Sequence, residues 1–333
     1  MPIKRITDPV EFKELKKDWN LLLREAEIDT IFLTHDWFYT WWDCFSGDYD
    51  LEILLYYDQK KRFKGIAPFK IKKGHISFLA SHQVSDYCDF IAGKKNKELF
   101  FREIFAFIEK VHSPLEKIEL INIPSESGTV SIISSVAPEY GFSVSSSVSE
   151  LVPVLELPDS LDKYLSDFKR KNRHELRRKM KRVEKLPGLS IKKIKGYEEV
   201  RDCISSFIQL HEKSDSDKDL FWKERNMRTF FKEITRRFSS NEWVELVLLY
   251  QYERLMAGLL AFDYHNIIYL YNTAYSNDYA WYSPGIYLFY EMIVSAIKDN
   301  KEKVDFLRGR ENYKYFFQAK ESKIHNLIIV PGE

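Results

Sequence analysis

Ser283, Pro284 and Gly285 stand immediately before a run of residues with helical spacing. Serine and proline favour the first positions of a helix, and glycine allows another group to approach the backbone closely. The free N–H groups and partial positive charge of a helix start bind phosphate. The segment from Ser283 to Ile286 is therefore a candidate site for a cofactor that carries a pyrophosphate. An ordinary β–α–β unit without a ligand would have the same pattern, and both interpretations stay open.

Two widespread phosphate-binding motifs are absent from the sequence. It contains neither G-x-G-x-x-G nor G-x-x-x-x-G-K-[ST], so a dinucleotide fingerprint and a Walker loop are excluded. Acyl-coenzyme A is the remaining common candidate. No metal is expected, because Cys44, Cys88 and Cys203 lie far apart without ligand spacing.

A strongly basic run opens the second half of the chain. Between Lys169 and Lys185 there are ten lysines and arginines against Glu175 and Glu184, a local excess of eight positive charges. A solvated helix face explains most such runs. The self-repulsion of like charges also favours a second interpretation, a helix that flanks an anionic ligand.

Carboxylates beside strands are the main candidates for a general base. Asp86 lies near a predicted strand end, and Asp305 lies inside the short apolar run 304–307. Burial raises the pKa of such a group toward the working pH, where it can accept a proton. We therefore favour Asp86 and Asp305. His211 stands near the end of a predicted helix, a position more typical of a structural histidine.

Composition and length bound the remaining possibilities. The chain has 333 residues and a formal net charge of +1, which predicts two domains and argues against a general polyanion binder. Nucleic acid is thus expected only if the donor is a transfer RNA. The first residues lack an apolar signal core, and no apolar stretch is long enough to span a membrane. Three scattered cysteines fit a reducing compartment, so we expect a cytoplasmic protein. The oligomeric state stays open.

The order of predicted elements is similar in the two halves of the chain. Residues 1–150 read as a helix pair, three strands, a helix and further strands. Residues 151–333 read as helices, three antiparallel strands, the helix after Gly285 and a last strand. Strands and helices of this kind predict two domains, each an α/β (α+β) unit with a mixed sheet.

Short motifs in both halves carry a family resemblance. They are Asp36-Trp37, Trp41-Trp42, Phe45, Gly65-Ile66-Ala67-Pro68 and Ser85-Asp86-Tyr87, followed by Lys171-Asn172-Arg173, Leu176-Arg177-Arg178, Leu210-His211, Met256-Ala257-Gly258, Ser283-Pro284-Gly285, Asp305-Phe306-Leu307-Arg308-Gly309 and Tyr313-Lys314. As a set they resemble the GNAT-type acetyltransferases associated with bacterial cellulose and exopolysaccharide clusters (BioF2-like). They are also similar to the Fem-type peptidoglycan aminoacyltransferases, which hold the acceptor in a cleft between two GNAT-like domains.

The resemblance implies roles for individual residues. Acyl-CoA would bind in the second domain at Ser276, Asn277, Ser283, Gly285 and Ile286, with a backbone N–H near Ser276-Asn277 holding the thioester carbonyl. Asp86 or Asp305 would act as base, Tyr313 would protonate the leaving thiolate, and Lys314 would bind an acceptor phosphate or the oxyanion. Substrate-binding roles fall on Tyr87, Asp89, Arg173, His211, Arg308 and Glu311. The usual GNAT phosphate loop is absent: Tyr282 and Tyr287 flank Gly285 instead.

The function implied by the resemblance is acyl transfer from acyl-CoA. The acceptor would be an amine or hydroxyl of a small molecule or glycan precursor, reacting directly in an inter-domain cleft with the N-terminal domain on the acceptor side. Two alternatives stay open. One is a GNAT-like scaffold without activity in a polysaccharide system, and the other is a transferase that takes its donor group from aminoacyl-tRNA.

Overall fold

The computed structural model describes residues 2–80, 84–112, 114–214, 221–224 and 226–332. The chain divides into two compact units, residues 1–151 with 322–333, and residues 152–321. The division lies one residue from the predicted boundary, but the last twelve residues belong to the first unit. The reason is strand pairing, because Ile324–Ile329 pair antiparallel with residues 118–124.

The first unit is built on a mixed sheet. Its strands follow the order β1-β2-β3-β4-β6-β13-β7, with β5 paired to β3. Most neighbours are antiparallel, but β4 and β6 are parallel over three residues, His75–Ser77 against Lys117–Glu119. The strands are β1 (Ile3–Ile6), β2 (Asp50–Tyr57), β3 (Phe63–Lys72), β4 (His75–Phe78), β5 (Ile91–Ala92), β6 (Lys117–Pro124), β7 (Phe142–Glu156) and β13 (Lys320–Pro331).

The described residues of this unit also form the helices α1 (Pro9–Glu14), α2 (Lys16–Arg24), α3 (His35–Phe45), α4 (Lys97–Val111) and α5 (Thr129–Val136). Asp8 caps α1 by accepting a hydrogen bond from Val10 N at 2.8 Å. Phe100, Phe101 and Phe105 of α4 are buried in an aromatic and aliphatic core with the strand residues beneath them.

The second unit carries its own sheet, in the order β7-β12-β11-β10-β9-β8. The antiparallel meander of β9 (Val244–Gln251), β10 (Arg254–Tyr264) and β11 (Ile267–Tyr275) was predicted and is confirmed. β8 (Leu189–Ile194) borders β9, and β12 (Lys303–Asp305) runs parallel to the start of β11.

Helices pack on both faces of this second sheet. They are α6 (Leu161–Ser166), α7 (Arg170–Glu184), α8 (Tyr197–Lys213), α9 (Met227–Ser239), α10 (Pro284–Lys298) and α11 (Asn312–Phe316). The apolar sides of α7 and α10 share one core with Leu259 and Leu270 of the sheet. On the opposite face, a Cβ at Gly258 would meet Phe207 of α8, and Tyr271 contacts Phe231 of α9.

Candidate functional site

The predicted helix start at Ser283 to Gly285 is confirmed, and it lies against β11. Pro284 is the first residue of α10, and Ser283 is the residue before it. A Cβ added at Gly285 would lie 3.6 Å from Thr273 Cγ2 and 3.9 Å from Tyr275 Cδ1. The first turn of α10 therefore sits over the end of β11, with one side of Gly285 facing that strand.

No side chain caps this helix. Ser283 has a left-handed backbone (φ 54°, ψ 52°) and makes no side-chain cap hydrogen bond, and the first turn contains no acidic residue. The Ser283 hydroxyl instead accepts a hydrogen bond from Lys179 Nζ at 3.3 Å. Because the first N–H groups of a helix lack intrahelical partners, Gly285 and Ile286 present donors beside a lysine cation. This combination suits a phosphate.

The basic run forms α7, and two of its cations reach the segment that leads into α10. Besides the contact of Lys179, Arg182 Nη1 donates to the carbonyl of Trp281 at 2.6 Å. The Arg182 guanidinium also lies 4.5 Å from the centre of the Trp281 ring. Most other cations of α7 are exposed, apart from the half-buried Arg173, and Arg178 pairs with Glu175 at 2.8 Å. The helix is thus partly a solvated face and partly a support for the start of α10.

The strands beneath α10 diverge. β11 pairs with β12 only from Ile267 to Tyr269, opposite Lys303 to Asp305, and β11 then continues to Tyr275 without β12. The pairing of β11 with β10 shifts register so that Tyr271 is an extra residue, a β-bulge. Sequence reasoning missed this bulge because an almost uniformly apolar strand gives no signal for its register.

The predicted carbonyl donor near Ser276 needs correction. Ser276 N–H already donates to Met256 O at 2.8 Å, so it is not available to a thioester carbonyl. Asn277 is exposed in the short 3-10 turn Asn277–Tyr282. The bulge at Tyr271 is a separate irregularity of β11, four residues before Tyr275. A donor role for Asn277 stays a prediction.

Asp305 and Lys314 brace one tight loop. Asp305 is 5% exposed, and its Oδ1 accepts from Leu307 N at 2.8 Å, which holds Leu307 in a left-handed conformation (φ 59°). Lys314 is 3% exposed and donates to Leu307 O at 3.1 Å and Arg308 O at 2.5 Å. It also pairs with Glu311 at 3.0 Å. Lys314 therefore holds the loop, and its role on an acceptor stays a prediction.

Tyr313 lies beside this loop with its ring stacked on Phe289. The ring centres are 5.0 Å apart and the planes nearly parallel. Burial, and secondarily the charge of Glu311, raises the pKa of Tyr313 above its usual value. The phenol stays protonated at neutral pH, as a proton donor requires. Thus Asp305, Arg308, Glu311, Tyr313 and Lys314 belong to a single short segment of the second unit.

His211 and Arg173 are held elsewhere in the second unit. His211 is 4% exposed, and its Nδ1 accepts from Trp222 Nε1 at 2.9 Å. Its Nε2 lies 3.3 Å from the Asn272 amide, next to the bulge in β11. Arg173 Nη1 donates to Leu165 O at 3.4 Å, within the region of α6 and α7. Their roles on a substrate stay predictions.

The predicted residues of the first unit have different environments. Asp86 is half-buried, and the Tyr87 ring meets Phe32 edge-on at 5.9 Å. Asp89 is fully buried: Thr129 Oγ1 donates to its Oδ1 at 2.6 Å, and Lys97 Nζ lies 3.5 Å from Oδ2. Burial raises the pKa of Asp89, and the charge of Lys97 opposes that rise. A cleft shared by Asp86 and Asp305 stays a prediction.

Within the described ranges, no group of three or more His, Cys, Asp or Glu side chains is placed to hold a metal ion. Among the helices that the structure describes, none is long and apolar enough to cross a membrane.

Comparison with known proteins identifies the fold. Residues 170–315, under half of the chain, match the family described as an acetyltransferase (GNAT) domain. No curated protein matches the sequence. FemX is similar over 98% of this chain and 97% of its own, with a TM-score of 0.65 and 13% identity. A tandem GNAT protein from the clavulanic acid biosynthesis pathway matches over 98% of both chains, with a TM-score of 0.54 and 9% identity.

A further structure is the C-terminal domain of a putative lysylphosphatidylglycerol synthetase from Agrobacterium fabrum. It covers 96% of this chain and 92% of its own, with a TM-score of 0.59 and 11% identity. The chain thus has the mixed α/β fold of tandem GNAT proteins, which confirms the predicted fold class. The GNAT domain lies in the second unit and points to an acyltransferase. The association with exopolysaccharide clusters stays a prediction.

Proposed function

We propose that the protein is an acyltransferase that takes an acyl group, acetyl in the simplest case, from acyl-CoA bound to the second unit. The observation that carries this proposal is the start of α10. Its first turn has no side-chain cap and no acid, lies over the end of β11, and has Lys179 within hydrogen-bonding distance of Ser283. The GNAT match of residues 170–315 supports the same donor.

The residues present fit a pyrophosphate. The N–H groups of Gly285 and Ile286 would donate to it, and Lys179 would supply the neutralising charge. The backbone at Gly285 is little crowded, since only Thr273 and Tyr275 lie within 4 Å of its Cβ position, both at ordinary contact distances. Tyr282 and Tyr287 take the place of the usual loop residues, so binding relies on the helix start and Lys179.

In the reaction, the acceptor nitrogen or oxygen attacks the thioester carbonyl carbon and the carbon–sulfur bond breaks. A carboxylate, Asp86 or Asp305, takes the proton of the acceptor, and the Tyr313 phenol returns one to the leaving thiolate. A backbone N–H near Asn277 would hold the carbonyl oxygen as negative charge develops on it. Direct transfer requires no covalent nucleophile in the protein.

The acceptor we propose is an amine or hydroxyl of a sugar, an amino acid or a cell-envelope or exopolysaccharide precursor. The resemblance to exopolysaccharide-cluster acetyltransferases supports this range, as does the likeness of the fold to FemX. Acceptor candidates can be screened as classes, with acetyl-CoA consumption as the readout and mass spectrometry of the product to identify the transferred group.

Binding of the donor tests the proposal directly. Acetyl-CoA at one hundred times its Kd should stabilise the folded chain by about 2.7 kcal/mol, which a thermal shift detects. Calorimetry with acetyl-CoA, CoA and a chain carrying Gly285→Val separates specific binding from a general effect. If acetyl-CoA gives the wild-type chain neither a heat of binding nor a higher melting temperature, the result would favour the scaffold alternative and overturn the proposal.

A second candidate function has one observation in its favour. Lys171 and Lys181 of α7 and Lys185 directly after it are exposed, and none forms an ion pair with another described residue. An aminoacyl-tRNA donor would use such a face, as the resemblance to Fem-type enzymes implies. The logarithm of the RNA-binding constant would fall linearly with the logarithm of the salt concentration, because each neutralised phosphate releases counterions. Binding of tRNA with a steep salt slope, and none of acetyl-CoA, would favour this candidate.

A further inference from the structure

Trp281 is the most exposed large apolar side chain in the part of the chain that the structure describes. It is 73% exposed, although it lies in the short 3-10 turn directly before α10. The turn is closed by a hydrogen bond from Ser283 N to Ala280 O at 3.0 Å. The indole thus stands in solvent at the entrance to the proposed pyrophosphate site rather than in a core.

The ring is nevertheless held in position. Arg182 donates to the Trp281 carbonyl at 2.6 Å and places its guanidinium 4.5 Å from the ring centre. Such a cation–π contact covers one face of an indole and orders it. With 73% of the residue exposed, the rest of the indole surface remains open to another planar group.

The surroundings of the ring are positively charged. Lys185, the residue directly after α7, stands three residues after Arg182 and on the same side of the helix. Arg178 stands four residues before Arg182 and is paired with Glu175. Lys185 is exposed and forms no ion pair with any residue of the described chain. An aromatic ring flanked by cations is the arrangement that binds a nucleotide, because the base stacks while the cations meet the phosphates.

We propose that Trp281 and Arg182 form a stacking site for the adenine ring of the acyl-CoA donor, with Lys185 placed for its 3′-phosphate. This inference rests on the proposed function. In CoA the ribose joins adenine directly to the pyrophosphate, so a base recognised with the pyrophosphate at Gly285 must lie near the start of α10. Trp281 precedes Pro284 by three residues. The site would make the enzyme prefer CoA thioesters to donors without the nucleotide.

Donor fragments test this proposal by calorimetry on the full chain. The probes are CoA, adenosine 3′,5′-bisphosphate and 4′-phosphopantetheine, titrated into wild type, Trp281→Ala and Trp281→Phe. Loss of the indole should weaken CoA and the bisphosphate by roughly five- to a hundredfold, the range for stacking of one base on an aromatic side chain. Phosphopantetheine should bind all three chains equally, and Trp281→Phe should recover much of the affinity.

Tyr252→Ala is the matched control, since Tyr252 is 66% exposed in the same unit, in the turn between β9 and β10. It should leave every affinity unchanged. Equal CoA affinity in wild type and Trp281→Ala would overturn the stacking site while the proposed function stands. An equal loss of affinity for 4′-phosphopantetheine would also overturn it, because the indole would then contact the part of CoA that this fragment shares and not the adenine. A wild-type chain that binds no probe would overturn both proposals.

Discussion

The starts of α4 and α10 occupy corresponding places in the two units but differ in charge. Each helix follows the strands of an antiparallel meander, and each unit then adds a parallel strand that pairs over three residues, β6 with β4 and β12 with β11. In a tandem GNAT fold the two helix starts are the natural candidates for a bound phosphate. Their side chains decide which one is suitable.

At the start of α4 the protein itself supplies the negative charges, as carboxylate side chains. Lys97, its first residue, is 1% exposed and pairs with Glu27 at 2.9 Å and Asp89 at 3.5 Å. It also donates to the carbonyl of Ser127, and Glu98 adds an acid in the first turn. These carboxylates interact favourably with the helix dipole and would repel a phosphate.

The start of α10 has the opposite character. Its first turn contains no acid, and Lys179 and Arg182 of α7 lie against the segment that leads into it. The same architecture therefore gives one helix start closed by buried ion pairs and one suited to an anion. The comparison supports our proposal that the donor binds to the second unit, and the predictions below test it.

Removing the cation at α4 should have the largest effect, and it should act on stability alone. Lys97→Met leaves Asp89 buried without its partner and should destabilise the chain by about 3–5 kcal/mol, measured by urea denaturation. At urea concentrations below the unfolding transition, the affinity for acetyl-CoA should not change. Lys94→Met is the control. Lys94 is exposed, and its Nζ lies 4.0 Å from Glu27 Oε1, farther than the 2.9 Å between Lys97 and the same carboxylate. A weaker CoA affinity in Lys97→Met would break the comparison.

The pH dependence of this variant follows from Asp89. Burial raises the pKa of Asp89 and the Lys97 cation opposes the rise, so the variant should raise that pKa further. A carboxyl whose pKa is higher in the folded state favours folding when protonated and loses that contribution as the pH rises through the folded pKa. The stability deficit of Lys97→Met should thus shrink between pH 7 and pH 5. A constant deficit would contradict this account.

The second prediction asks whether catalysis needs both units. Asp86→Asn and Asp305→Asn should each lower kcat/KM by roughly a hundredfold if the carboxylate is a general base. Asn at position 305 keeps an oxygen for Leu307 N–H, so the turn that Asp305 now closes should survive. Unchanged melting temperatures are the control. If Asp86→Asn keeps full activity on the identified acceptor, the base lies in the second unit alone.

Features that depend on residues close together in the sequence could be predicted, and features that depend on distant residues could not. The start of α10 was predicted because Ser283, Pro284 and Gly285 are local signals of a helix start. The pairing of β13 with β6 was missed, since strand partners about two hundred residues apart leave no local pattern. Likewise, no pattern reveals that the ammonium group of Lys314 turns toward two carbonyls of its own loop.

The third prediction concerns the backbone of α10. Gly285→Val should weaken acetyl-CoA binding by about tenfold, because a branched side chain obstructs the approach of the pyrophosphate to the N–H groups. Gly285→Ala is the graded control: its Cβ would meet Thr273 and Tyr275 at ordinary contact distances. It should fold normally and bind with an intermediate affinity. If calorimetry gives equal affinities for wild type, Gly285→Val and Gly285→Ala, the pyrophosphate binds at another place.

The smallest expected effect is at Lys179, and it separates a specific cation from a generally basic helix. Lys179→Gln removes the charge next to Ser283 and should weaken acetyl-CoA binding by about three- to tenfold, since the lysine is half-buried and less screened than a surface charge. Lys171→Gln removes the same charge from the exposed first turn of α7 and should change the affinity less than twofold. The affinity of the Lys179 variant should also depend less on salt, because one cation–phosphate contact is lost. Equal losses in the two variants would mean that α7 attracts the donor only through its total charge, and the difference between the two helix starts would then lie in the acids of α4 alone.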